Sequence, residues 1–191
     1  MIKVEANDIG IKKGIEILNQ NGVIIFPTDT VYGIGTKYTN IGGIKRIRKI
    51  KGREKNKPFQ ILIADMESIN FLVKEINCSA KKLMGKYWPG ALTIVFEKST
   101  AVSEDISQSK SVGIRFPDDP AILAIIKETG PLVATSANKS GEKSPTKADE
   151  VTIEADLIID GGECKDKIGS TVVDTTKNSV VVLRQGLVDI L

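Results

Sequence analysis

Apolar positions along the chain fall into two rhythms, and their order predicts the fold class. A helical rhythm runs over residues 9–19, with Ile11, Ile15 and Leu18 on one face and Gly22 just beyond its end. A second spans the basic stretch that carries Ile41, Ile44 and Ile47 at three-residue spacing, with Ile50 next. A third covers 78–87 and is stopped by Trp88-Pro89-Gly90. Asp119-Pro120 starts a fourth, with Asp as N-cap and Pro at the first position, and Gly130-Pro131 stops it. Between these lie short apolar, β-rich runs at 23–26, 60–64, 91–96, 112–117, 132–134, 157–159, 171–173 and 180–183, bounded by Gly and Asp/Asn turns. Strands interleaved with helices predict an α/β or α+β domain built on a twisted, mixed sheet. There is no linker-like break in composition and no internal repeat, so one domain over 1–191 is the economical reading.

Several runs end in groups that carry chemistry. Val112-Gly113-Ile114-Arg115-Phe116-Pro117 reads as a buried strand ending in a guanidinium. An unpaired buried charge costs several kcal/mol or more, so Arg115 needs an anion, and a ligand carboxylate or phosphate meets that need. Leu132 to Ala134 leads into Thr135, Ser136 and Asn138, short donors that orient such a ligand or form a plain Asx/Ser turn. Pro27-Thr28-Asp29-Thr30-Val31-Tyr32-Gly33 is either a turn in which Asp29 caps its own backbone or a polar lip toward a substrate. Lys51-Gly52-Arg53 followed by Lys57-Pro58 offers a fork and point charges to phosphates. Arg184, after three valines and a leucine, repeats the pattern of a cation at a strand end and, like Arg115, also fits a surface ion pair. Trp88 reads as a core residue.

Composition narrows the chemistry. Among 191 residues there is no histidine, which removes the usual base near neutral pH and every Ser-His or Cys-His scheme. Cys78 and Cys164 stand far apart and read as two separate reduced core thiols rather than a disulfide. Gly33-Ile34-Gly35 lacks the third glycine of a dinucleotide loop, and no phosphate-binding Gly-x-x-x-x-Gly-Lys-Ser/Thr loop occurs. The net charge is only +3, yet eight basic side chains between Lys45 and Lys57 face one acid, Glu54. That run fits a polyanionic partner or a solvated helix face. No apolar run approaches the ~20 residues of a membrane span, and the N-terminus lacks a signal-like core, so a soluble cytoplasmic protein is expected.

In order along residues 10–187, these segments, together with Trp88-Pro89-Gly90-Ala91-Leu92-Thr93, Ser140-Gly141, Ser170-Thr171-Val172-Val173-Asp174 and Arg184-Gln185-Gly186, resemble the YrdC/TsaC family of L-threonylcarbamoyladenylate synthases. The resemblance implies a twisted α/β domain around a large open basic cavity. It implies that L-threonine, bicarbonate and ATP, the last as its Mg²⁺ complex, are joined into threonylcarbamoyl-AMP with release of pyrophosphate. A partner threonylcarbamoyl transferase then modifies N6 of adenosine 37 in tRNA. Carried over by position, Lys51, Arg53, Ser136 and Asn138 form the family's charged and polar tetrad. Arg53, Lys57, Ser111, Ser136, Asn138, Ser144 and Arg184 fall on nucleotide contacts. Thr30, Arg115, Ala134 and Ser170 fall on threonine contacts, and no metal site on the protein is implied. The chain resembles the short single-domain form, and it lacks the histidine that several relatives carry near the position of Leu62. Two other readings compete: a double-stranded RNA or tRNA-binding module without catalysis, for which aromatics are few at 5%, and a carbamoyl-adenylate-forming module like that of the hydrogenase maturation factors.

Overall fold

The computed structural model describes residues 1–177 and 179–190. Asn178, in the turn expected before the last strand, and Leu191, where the expected domain ends, lie outside them. Helix α1 (Asp8–Asn19) begins where Asn7 accepts hydrogen bonds from the amides of Ile9 and Gly10, satisfying donors that the first turn leaves orphaned. Helix α2 (Ile41–Lys51) is capped by Asn40 and closed by Gly52 in the left-handed conformation at φ 61°. Its basic last turn complements the negative end of the helix dipole. A short helix α3 (Ile69–Leu72) and α4 (Cys78–Tyr87) follow, the latter capped by Asn77. Asp119 accepts from the amides of Ala121 and Ile122, and Pro120 opens α5 (Pro120–Thr129), as its sequence predicts.

The strands form one mixed sheet. They are β1 (Ile2–Glu5), β2 (Ile24–Phe26), β3 (Gly33–Lys37), β4 (Gln60–Leu62), β5 (Leu92–Glu97), β6 (Ser111–Arg115), β7 (Leu132–Ser136), β8 (Leu157–Asp160), β9 (Thr171–Asp174) and β10 (Val181–Arg184). Their spatial order is β1-β8-β2-β3-β7-β4-β6-β5-β9-β10. The β1–β8, β8–β2, β4–β6 and β5–β9 pairs are parallel and the others antiparallel. The sequence reading did not place β1 or β3. In β3 the strand signal is masked by two glycines, residues depleted in strands. They are there for space: a Cβ at Gly35 would lie 2.7 Å from the Val133 carbonyl oxygen and 3.0 Å from the Phe26 ring, and one at Gly33 2.8 Å from that ring.

Alternation sorts each strand between two faces. On one face Ile25, Ile34, Ile61, Ile94, Ile114 and Val133 pack with Ile44 and Ile47 of α2 in the larger core. On the other, Ile24, Phe26, Leu62, Leu132, Leu157 and Ile159 pack with Leu18 of α1 and Ile122, Ile125 and Ile126 of α5. That second layer covers only half of its face. Past β7 the positions on the same side are Gln60, Thr93, Gly113 and Val172, which lie open as the floor of a cleft. Trp88 packs half-buried against the larger core and donates from Nε1 to the Leu92 carbonyl at 2.7 Å. Cys164 is buried, but Cys78 is not the core thiol expected: it opens α4 on the outward side of the helix. Among the described residues no helix is long and apolar enough to cross a membrane.

Candidate functional site

The cleft over the uncovered half-face has a volume of about 310 Å³. Nine residues singled out from sequence line it: Thr30, Arg53, Arg115, Ala134, Thr135, Ser136, Ser144, Ser170 and Arg184. They arrive from β6, β7 and β10 and from the loops after β2, α2 and β7 and before β9, so sheet pairing converges groups far apart in sequence.

Arg115 ends β6 with its side chain 3% exposed. Sequence reading expects either a ligand anion or a surface ion pair for it; the structure shows a buried pair with a carboxylate of the chain itself. Its Nη2 donates to Asp29 Oδ1 at 2.5 Å, Nη1 to Thr30 Oγ1 at 2.7 Å and Nε to the Gly90 carbonyl at 3.1 Å. Burial pulls the guanidinium below its ordinary pKa, and Asp29 opposes that pull. Asp29 therefore does not cap its own turn. Thr28 does so, its Oγ1 accepting from the amides of Thr30 and Val31 at 3.2 Å.

Arg53 and Arg184 have no carboxylate partner among the described residues. Arg53 donates to the carbonyls of Lys57 (3.2 Å) and Pro58 (2.7 Å) and lies 5.2 Å from the centre of the Phe59 ring. Its pKa is lowered by burial and then by the charges of Arg48 and Arg184. Arg184 reaches back to the Ser170 carbonyl at 2.7 Å and Ser170 Oγ at 3.2 Å, and its pKa is lowered by burial and by Arg115. Three guanidiniums thus converge on one cleft, and of the three only Arg115 is ion-paired among the described residues, so the repulsion felt by Arg53 and Arg184 is an electrostatic deficit that a bound anion relieves.

The rest of the predicted tetrad splits. Ser136, at the end of β7, faces the cleft. Lys51 does not line it. The residue is 2% exposed, and its ammonium donates to the carbonyls of Ser136 and Asn138, while its own carbonyl accepts from the Ser140 amide at 2.8 Å. Burial, then the neighbouring Arg53, lowers its pKa to about 8. Asn138 also turns away, donating to the carbonyls of Lys139 and Glu142 at 2.8 Å each. Together they bind the end of β7 at Ser136, and the loop after it that carries Ser144, to the end of α2. Lys57 is exposed and paired with Glu54 at 3.1 Å. Ser111 opens β6 on the same face as Gly113 and Arg115, two and four positions outward from them, bonded to Ser109 rather than lining the cleft.

Two floor residues escaped the sequence reading. Thr93 Oγ1 donates to Gln60 Oε1 at 2.9 Å and shares a 2.8 Å hydrogen bond with Ser170 Oγ, which links β4 and β5 to Arg184. The signal that finds them is a polar residue at alternate positions of an otherwise apolar strand, as in Phe59-Gln60-Ile61 and Leu92-Thr93-Ile94. Beyond Arg53 the cleft adjoins a basic groove of about 600 Å³ along Lys45, Arg48 and Lys49, walled opposite by Glu104 and Asp105. The smaller cleft is the better candidate because its polar groups are buried and mutually fixed, whereas the groove is a helix face facing a loop.

Comparison with known proteins places these features. The Sua5/YciO/YrdC family model, described as "Telomere recombination", matches residues 16–186. The threonylcarbamoyl-AMP synthase of Bacillus subtilis is 39% identical over 191 residues, covering 96% of this chain and 55% of that protein. A putative threonylcarbamoyl-AMP synthase of Methanocaldococcus jannaschii is 37% identical, covering 100% of this chain and 94% of that protein. The crystal structure of Pyrococcus abyssi Sua5 complexed with L-threonine superposes with a TM-score of 0.90 at 36% identity, covering 97% of this chain and 56% of that one. The chain spans about half the length of the Bacillus and Pyrococcus relatives.

Proposed function

Because this chain belongs to the Sua5/YciO/YrdC family, we propose that it is an L-threonylcarbamoyladenylate synthase, joining L-threonine, bicarbonate and Mg-ATP into threonylcarbamoyl-AMP and pyrophosphate. The observation that carries the reading is the convergence of Arg53, Arg115 and Arg184 on one cleft with hydroxyls between them. In this reading the threonine carboxylate meets Arg115 beside Thr30, Ala134 and Ser170. The nucleotide phosphates meet Arg53 and Arg184, with Ser136 and Ser144 alongside and Lys57 and Ser111 at the rim. Lys51 and Asn138 keep that loop in place.

The chemistry asks little of protein acids and bases. The threonine ammonium releases one proton to solvent, and the resulting amine condenses with bicarbonate to give the N-carboxylate and water. An oxygen of that carboxylate then attacks the α-phosphorus, and the bond to the bridging oxygen breaks, so that pyrophosphate leaves with the electron pair. No net proton passes to the protein, which fits a chain without histidine. What the protein contributes is placement of three reactants and fixed positive charge where the leaving group develops negative charge. The mixed anhydride passes to a threonylcarbamoyl transferase acting on adenosine 37 of tRNA in the cytoplasm.

The test is pyrophosphate release from Mg-ATP and bicarbonate with and without L-threonine. Release that depends on threonine is the expected result. Release without threonine favours carbamoyl-adenylate chemistry, and no release with salt-sensitive RNA binding favours a binding module on the α2 groove.

A further inference from the structure

Asp29 is the carboxylate that Arg115 holds, and stability does not explain it. A buried ion pair is often replaceable by apolar residues at no loss of stability, because both ions forgo hydration. Here the cation also lines the cleft. Of its five N–H groups, three are engaged with Gly90, Thr30 and Asp29, which leaves one N–H on each terminal nitrogen. Asp29 is itself fixed: its side chain is 3% exposed, and its carbonyl accepts from the Asp166 amide at 2.8 Å. The cleft is therefore divided electrically. At the Arg115 end the guanidinium is paired with Asp29, and Asp166 is a second carboxylate close enough to act on both, so no net positive charge remains there. At the other end Arg53 and Arg184 carry two positive charges that no carboxylate among the described residues offsets.

We infer that Asp29 sorts the two substrates, cancelling the positive charge of Arg115 so that this end takes a zwitterionic amino acid and turns away phosphate, while the uncompensated Arg53–Arg184 end takes the polyphosphate. A zwitterion brings no net charge and sits well beside a neutral ion pair. A phosphate dianion brings two charges and meets the Asp29 carboxylate as well as the arginine. Asp29 thus acts through Arg115 as a positioning and specificity residue, fixing the guanidinium plane by one bond and its net charge by its own. The inference rests on the synthase reading above.

The experiment compares the unaltered protein with Asp29→Asn and Asp29→Glu by steady-state pyrophosphate release, varying threonine and adding inorganic phosphate. In Asp29→Asn the threonine KM is expected to rise at least tenfold, with the ATP KM unchanged and kcat recovered at saturating threonine. Phosphate is expected to become competitive with threonine in that variant and not in the unaltered protein. Asp29→Glu keeps the charge and displaces it by one methylene, so it is expected to stay insensitive to phosphate while its threonine KM rises. Should Asp29→Asn fail to fold, Asp29→Glu carries the test. An unchanged threonine KM in whichever variants fold overturns the role of Asp29, and so does phosphate competition that is the same with and without the carboxylate. If the unaltered protein shows no threonine-dependent release, the synthase reading fails first and this inference with it.

Discussion

Replacing Arg53 with alanine tests the electrostatic account of the cleft, because it is expected to abolish function while barely touching the fold. On the stability side the side chain contributes hydrogen bonds to two carbonyls and a contact with the Phe59 ring. Partly exposed interactions of these kinds are worth about 1 kcal/mol each or less. Against them stands the repulsion that Arg53 suffers from Arg48 and Arg184, which its removal relieves. The net loss is about 1 kcal/mol, a fall of roughly 2–4 °C in Tm for a chain of this size. On the catalytic side, removing one preorganised group aimed at developing charge costs about 10²–10³ in kcat, or about 2.7–4 kcal/mol. Threonine-dependent pyrophosphate release, measured beside a thermal melt, reads both quantities. Arg53→Lys keeps the charge without the planar fork and is expected to fall between the two. Activity within tenfold of the unaltered protein would refute the reasoning, and so would a Tm loss beyond about 10 °C, since unfolding then explains the defect.

Lys51→Met leaves the Ser136 and Asn138 carbonyls without their donor, and unsatisfied buried acceptors cost about 1–3 kcal/mol. A Tm lowered by several degrees, with loss of turnover, is the expected outcome. The stability gap between the unaltered protein and Lys51→Met should widen from about pH 8 to 10.5, because the unfolded lysine keeps a proton that the folded one has already lost; denaturant titrations across that window check it, and a flat gap refutes it. Asp119→Ala removes the cap of α5 and should cost about 1 kcal/mol by urea unfolding. Gly35→Ala drives a methyl group against the Val133 carbonyl and the Phe26 ring, so overpacking of about 1–3 kcal/mol is expected, and native-like stability in a melt would refute the close approach.

What the sequence made legible is what local rules govern. Helix α4 ends where Trp88-Pro89 predicts, α5 starts at its Asp-Pro signal, and the cations at the ends of β6 and β10 reach the cleft. What stayed hidden depends on partners distant in the chain. Asp29 and Arg115 are 86 positions apart, and nothing in Thr28-Asp29-Thr30 tells a self-capping turn from a counterion. The burial of Lys51 looks, in sequence, like one more lysine of a basic run. Strand β3 is invisible because its glycines answer to the Phe26 ring on the next strand, and Cys78 was misplaced because a thiol's preference for the interior says nothing about which side of a helix faces out.

The half-covered face of the sheet carries a consequence for how such a protein diverges. Along β4, β5, β6 and β9 each residue that looks into the cleft is flanked by residues that look into the larger core. The two sets share a backbone but hardly share neighbours. Exchanges at Gln60, Thr93, Gly113 or Val172 can remodel what the cleft accepts while the packing beneath stays as it was. Selection can then alter ligand preference and thermal endurance as nearly separate traits, and a library restricted to those four positions is the compact way to search for altered amino-acid preference on this scaffold.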